Sequence, residues 1–228
     1  MNNIKTILCA AWTLVLVSTG TVLMADSSNF AGPYIGISGL SAGIEAKGDS
    51  RDGDGDTNDR VQFGKTTFGA GIEGGYALPI GSMFLLDVGA SYLSGEAKIN
   101  HENDSNTATH SKGVSFAADD FVTLYIAPTV ALSETSSVYL KWGYSEADIS
   151  ITGDVTTPAD LRGETMAIGT RTVLDSGIFI KTEAGYTEYN GISAHGAGAA
   201  STGAISTTTA YSAEPGIAYG SVSLGFRF

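Results

Sequence analysis

The chain has 228 residues, of which 43% are hydrophobic and 16% charged, and its formal net charge is −12. That acidity argues against nucleic acid as a partner, because nucleic-acid binders carry basic patches. Thirty glycines against five prolines fit a protein of strands and turns, and the length suits one domain.

Residues 1–25 read as a secretory signal. Lys5 supplies the positive charge, Ile7 to Val17 the apolar stretch, and Leu23-Met24-Ala25 before Asp26 a cleavage site. The apolar run is broken by Thr13, Ser18 and Thr19, and it falls short of the ~20 residues of a spanning helix. Cys9 is the only cysteine. Once the signal is removed, the expected mature chain at 26–228 has neither disulfide nor thiol. No later stretch is long enough for a membrane helix, so a membrane home would require a closed barrel.

Eight β-patterned segments follow in order: Tyr34–Lys47, Phe63–Leu78, Met83–Ile99, Phe121–Leu132, Val138–Ile149, Glu164–Leu174, Ile178–Tyr189 and Ile217–Phe228. Each is near or above the ~9–11 residues with which a tilted strand crosses the hydrocarbon. The connectors alternate in length. Pro79–Ser82, Ser133–Ser136 and Asp175–Gly177 are tight turns, whereas Gly48–Gln62, Asn100–Asp120, Ser150–Gly163 and Asn190–Pro215 are long and polar. Short turns at one end and long loops at the other are the layout of an up-and-down transmembrane barrel.

Residue parity separates the two faces of each segment. Phe68, Ala70, Ile72, Gly74, Tyr76 and Leu78 oppose Thr67, Gly69, Gly71, Glu73 and Gly75. Phe84, Leu86, Val88, Ala90 and Tyr92 oppose Asp87, Gly89 and Ser91. Val138, Leu140, Trp142 and Tyr144 oppose Tyr139, Lys141, Gly143 and Ser145. Ile35, Ile37, Val122, Leu124, Ile126, Val130, Ile178 and Ile180 are expected to face outward as well. The non-apolar face consists mostly of small residues, which suits the narrow interior of an eight-stranded barrel. The apolar face is therefore assigned to lipid. Tyr76, Tyr92, Trp142, Tyr144, Tyr186, Phe226 and Phe228 are expected near strand ends, in aromatic girdles. The alternative architecture is a soluble β-sandwich behind a signal peptide.

The last segment ends Val222-Ser223-Leu224-Gly225-Phe226-Arg227-Phe228, with alternation kept to the final Phe. With the connector pattern, this ending resembles the small eight-stranded bacterial outer-membrane β-barrel proteins, the OmpA-barrel, OmpX and opacity-type group. The resemblance implies an all-β, eight-stranded antiparallel up-and-down transmembrane barrel in the bacterial outer membrane. It also implies that Phe226 and Phe228 belong to a C-terminal signal read by the barrel assembly machinery. OmpA carries a peptidoglycan-binding domain after its barrel, and this chain stops at Phe228, so no cell-wall role is carried over. Function is then expected from the loops, the lumen or the lipid-facing wall.

Counting from the short turns places Glu73, Asp87, Lys141, Arg171, Lys181 and Glu183 inward at similar depth. Buried charges left unpaired are costly, so one hydrogen-bonded network is expected across the lumen. Such a network would act as a plug, or as a gate if its pairs exchange partners, as is proposed for the resembled family. Asp52, Asp54 and Asp56 space carboxylates like the start of a calcium loop. However, Thr57 and Phe63 stand where an EF-hand needs Gly and Glu, so at most weak Ca²⁺ binding is expected, with no other cofactor. Gly69-Ala70-Gly71-Ile72-Glu73-Gly74 matches a dinucleotide fingerprint without the strand–helix context that gives it meaning. His101, His110 and His195 fall in the expected long loops. The pair His110-Ser111 is the nearest approach to the chemistry of lipid A-modifying barrels.

The expected role is structural or surface-interacting rather than enzymatic, with no catalytic residues. A narrow solute channel is the first alternative and a lipid A enzyme the second. Expected partners are outer-membrane lipid and lipopolysaccharide, the assembly machinery and an unidentified extracellular ligand, for a monomeric barrel.

Overall fold

A computed structural model describes residues 25–51, 57–101, 114–152, 156, 160–174, 176–195 and 210–228. Ten strands are present among them: β1 (Gly32–Arg51), β2 (Thr57–Pro79), β3 (Phe84–Ser94), β4 (Ala97–His101), β5 (Val114–Ala131), β6 (Ser136–Thr152), β7 (Leu161–Val173), β8 (Ile178–Tyr189), β9 (Ile192–His195) and β10 (Ala210–Arg227). β4 prolongs β3 beyond Gly95-Glu96, and β9 prolongs β8 beyond Asn190-Gly191, so the wall has eight staves. Every pairing is antiparallel, and β1 pairs with β10 to close the sheet. Closure removes the free edges that lipid would not tolerate.

Register fixes the barrel's dimensions. The pairs Ile35–Gly74, Gly74–Ala90, Ala90–Leu124, Leu124–Tyr144, Tyr144–Glu164, Glu164–Glu188 and Glu188–Gly216 lead back to β1 at Glu45, ten residues beyond the start. Eight staves with that stagger tilt by about 41° and enclose a radius of about 8 Å. A lumen of that width is filled by side chains.

The faces follow the parity expected from the sequence. Ile37 is 63% exposed, Leu124 63%, Trp142 54% and Val222 59%, whereas Asp87, Lys141, Arg171 and Lys181 are buried. A soluble protein does not expose an apolar band of this extent, and in lipid such a band is what the barrel wall requires. Trp142 departs from the girdle expectation. It lies mid-strand, between Ile126 and Met166.

Turn chemistry explains the short ends. Ile80 and Gly81 both donate to the Phe84 carbonyl. The Ser133 hydroxyl accepts from the Ser136 and Thr135 amides. Gly177 takes φ +81°, a conformation that costs glycine little.

The long ends differ from expectation. β2 starts at Thr57, β5 at Val114 and β10 at Ala210, so parts of all the expected long loops are strand. His101 ends β4 and His195 ends β9 rather than lying in loops. Above the hydrocarbon both faces of a strand meet water, so the alternation that marks a strand in the sequence is lost there. The signal at 1–25, apart from Ala25, lies outside the described residues, as do Asp52, Asp54, Asp56 and the pair His110-Ser111.

Candidate functional site in the barrel lumen

The lumen is built in layers. At the periplasmic end, the segment before β1 folds under the barrel. Asp26 caps a single 3-10 turn, Ser27–Asn29, by accepting from the Ser28 amide. The Ser27 amide and hydroxyl donate to the Ser82 and Gly81 carbonyls. Arg227 reaches inward and donates to the Ala31 carbonyl at 3.1 Å. These bonds hold Phe30, with no exposed surface, against Tyr34, Leu85, Val173 and Phe179. Tyr34 and Phe179 meet edge to face, their centroids 5.9 Å apart.

Above this floor stand the six inward charges, which the structure brings together as three ion pairs. Arg171 Nη2 lies 3.1 Å from Asp87 Oδ2, Lys181 Nζ lies 2.6 Å from Glu73 Oε2, and Lys141 Nζ lies 3.0 Å from Glu183 Oε1. Each pair joins staves from different parts of the wall, since Glu73 and Lys181 are 108 residues apart. All six side chains are 7% exposed or less. The layer carries three positive and three negative charges, so it is neutral as a whole.

Four tyrosines and a threonine complete the layer. Tyr139 and Tyr219 donate to the two oxygens of Glu183 at 2.9 and 2.8 Å. Thr129 donates to Asp87 Oδ2 at 2.8 Å. The Tyr34 and Tyr125 hydroxyls are 3.0 Å apart. The cations also lie on rings: Lys141 is 4.4 Å from the Tyr125 centroid, and Arg171 is 4.7 Å from that of Tyr34. Cation–π contact of this kind strengthens when water is excluded. Parity places Tyr34, Tyr125 and Tyr219 inward by the same logic that places Lys141. What hid them was their composition, because an aromatic in a barrel strand reads first as a lipid-facing residue. Glu73 Oε1, Asp87 Oδ1 and Arg171 Nε find no hydrogen-bond partner among the described residues.

Over the pairs runs a chain of hydroxyls on four consecutive staves. Thr123 and Ser145 are 2.6 Å apart, Ser145 and Thr165 2.5 Å, and Thr165 and Thr187 2.8 Å. Ile44, Ala118, Ala147, Leu161 and Tyr189 form an apolar layer in the outer half.

Asp119, Asp120 and Asp148 bring three carboxylates together at the outer end of β5 and β6, where β5 bulges and Asp120 takes φ 51°. His195 is exposed, and its amide donates to the Thr156 hydroxyl.

The architecture has counterparts among known proteins. Residues 12–212 match the family described as outer membrane protein beta-barrel domain. No curated protein sequence matches the chain. Among solved structures it is similar to OprG from Pseudomonas aeruginosa, at 11% identity over 87% of this chain and 97% of that one, with a TM-score of 0.51. It is also similar to Ail, the attachment invasion locus protein of Yersinia pestis, at 11% identity over 85% and 99%, with a TM-score of 0.40. Neisserial surface protein A follows at 10% identity over 84% and 97%, with a TM-score of 0.41. At such identities the likeness speaks for the fold alone. A closed barrel with a lipid-facing apolar wall and a family match over most of its length mean that this chain belongs to the bacterial outer membrane protein β-barrel domain family.

Proposed function

We propose that this barrel serves the outer membrane as a structural and surface-presenting element, and that its lumen does not carry solute. The observation behind this reading is the layer of three buried ion pairs across the middle of the lumen. Phe30 and its neighbours seal the lumen below. Opening a path would strip each buried charge of its partner, at several kcal/mol per ion.

Strand length supports the surface role. β1 has 20 residues and β2 has 23. At a tilt of about 41°, twenty residues rise about 50 Å, well beyond a hydrocarbon core of about 30 Å. The barrel therefore lifts the outer ends of its strands clear of the lipid, on the side where lipopolysaccharide and extracellular partners would be met. Phe226 and Phe228, edge to face with centroids 5.2 Å apart, stand at the opposite rim as the element that assembly machinery would read.

Planar-bilayer recording on purified, refolded protein tests the closed lumen. The expected record is flat, with brief, small events at most. A steady large conductance would overturn the reading in favour of a channel.

A further inference from the structure

Thr170 on β7 and Thr182 on β8 stand directly opposite each other in the ladder, each next in its strand to a lumen charge, Arg171 or Lys181. Those charges are buried inside, so strand parity turns the two threonines outward, and both are exposed. Their hydroxyls are 2.8 Å apart. The surroundings are the apolar band of the wall, with Ile168, Ile180, Val222 and Leu224 exposed near them. Thr182 lies four residues above Ile178, itself exposed, where β8 begins. At a tilt of about 41°, that places the two hydroxyls about 10 Å inside the apolar band.

Two hydroxyls bonded to each other spend one O–H and leave the other unspent. Neither makes a second hydrogen bond among the described residues. At this depth the surrounding lipid is hydrocarbon, which offers no acceptor, and a polar hydrogen left without one is costly. A second pair of the same kind supplies what is missing. Four hydroxyls in a ring each donate once and accept once, so nothing is left over.

A second copy of this chain is the partner that meets both requirements. A two-fold axis along the membrane normal sets the same patch of two copies face to face at the same height. Small residues leave room for the approach. Above Thr182, Ala184 on β8 pairs with Gly220 on β10, and a methyl group at Gly220 would meet nothing within 4 Å. Membrane-embedded surfaces associate closely where residues are small, with polar side chains as the glue. Under that axis the tilted strands of the two copies cross at about 82°, so the ladders stay separate and the contact is a local patch.

We propose that the outer wall of β7 and β8 is a self-association surface, on which Thr170 and Thr182 meet the same two residues of a second copy in a ring of four hydroxyl hydrogen bonds. The contact involves neither the lumen nor the outer ends of the strands, so it is compatible with a closed, surface-presenting barrel.

The test is energy transfer between donor- and acceptor-labelled full barrels in phospholipid vesicles, as lipid is added to dilute the protein. The label is carried by Ser176→Cys, in the exposed turn beneath the two threonines. Transfer above that of randomly placed barrels is expected to persist on dilution. Thr170→Val with Thr182→Val keeps the shape, removes both hydroxyls and should weaken association roughly tenfold, the scale of two hydrogen bonds within a bilayer. Thr170→Ser with Thr182→Ser keeps the hydroxyls and should retain association. The heat-dependent gel shift should show every variant folded. A label at Glu134→Cys, in the turn between β5 and β6, should give weaker transfer than the label at Ser176→Cys. Transfer that falls to the random level in the parent would overturn the contact. Equal association of the valine variant would overturn the role of the hydroxyls, and stronger transfer from Glu134→Cys would overturn the assigned face.

Discussion

Lys181 Nζ and Glu73 Oε2 meet at 2.6 Å across the barrel although 108 residues separate them in the chain. The contact ties β8 to β2 through the interior, with no shared backbone ladder between those strands. Lys181→Met leaves Glu73 buried with no cation beside Oε2. Breaking a buried pair from one side costs about 3–5 kcal/mol. Replacing both partners, Glu73→Leu with Lys181→Met, removes the desolvation penalty together with the attraction. The double variant is expected to match or exceed the parent, within the roughly 1–4 kcal/mol gains seen for apolar replacements of buried pairs. Urea titration of the barrel in lipid vesicles, followed by the folded and unfolded bands on gels, checks the order single below parent and double at or above it.

Gly225 faces the lumen one residue before Phe226, and its neighbours leave no room for a methyl group. A Cβ there would collide with the Phe179 ring and lie 2.6 Å from the Ile35 carbonyl. Phe179 is 1% exposed and held edge-on by Tyr34, so it has nowhere to turn. Gly225→Ala should destabilise the barrel by about 1–3 kcal/mol, the usual range for overpacking. Gly220 is the control, because a methyl group added there would meet nothing within 4 Å. Refolding yield of the two alanine variants side by side is the measurement.

These two sites differ in how far the sequence reveals them. The pairs are legible because barrel strands keep strict parity within the hydrocarbon, so counting from a tight turn gives both the face and the depth of Glu73 or Lys181. Partner identity is not legible. Glu183 takes Lys141 rather than the nearer-in-sequence Lys181, and that choice follows from the β6–β7–β8 register, which sets Lys141 opposite Ala167 and Ala167 opposite Gly185. The tight contact at Gly225 is hidden for a similar reason, because it depends on a ring from another stave. Phe30 is harder still. It precedes the first strand, has no periodic context, and acquires its role only when Ser27 bonds to the turn at Gly81-Ser82. The outer extensions, such as β5 from Val114, are obscured because polar residues occupy both faces above the membrane.

Phe30 and the ion pairs close the lumen in series. Phe30→Ala removes a fully buried ring from the periplasmic floor and should cost about 3–5 kcal/mol, the range for Phe→Ala in a core. It should nonetheless leave the barrel electrically silent, since the charged layer above is intact. Adding Arg171→Met, which frees Asp87 and thins the layer, should produce measurable conductance. Bilayer recordings of the single and double variants decide the matter. If Phe30→Ala alone conducts steadily, the ion pairs are not a seal.

Asp26 offers a pH test of the same periplasmic floor. Its carboxylate accepts from the Ser28 amide at 2.9 Å. That hydrogen bond holds its pKa below the ordinary 3.8, because it favours the charged form. A carboxyl depressed in the folded state stabilises the cap above its unfolded pKa. The contribution is complete above about pH 3.8 and fades as pH falls through the lower folded value. The Ser28 amide resonance should therefore titrate with a midpoint below 3.8. In Asp26→Asn that titration should vanish, while the resonance stays near its capped position because the Asn side-chain oxygen still accepts. A midpoint at or above 3.8 would mean that the cap is not formed in the membrane-bound protein.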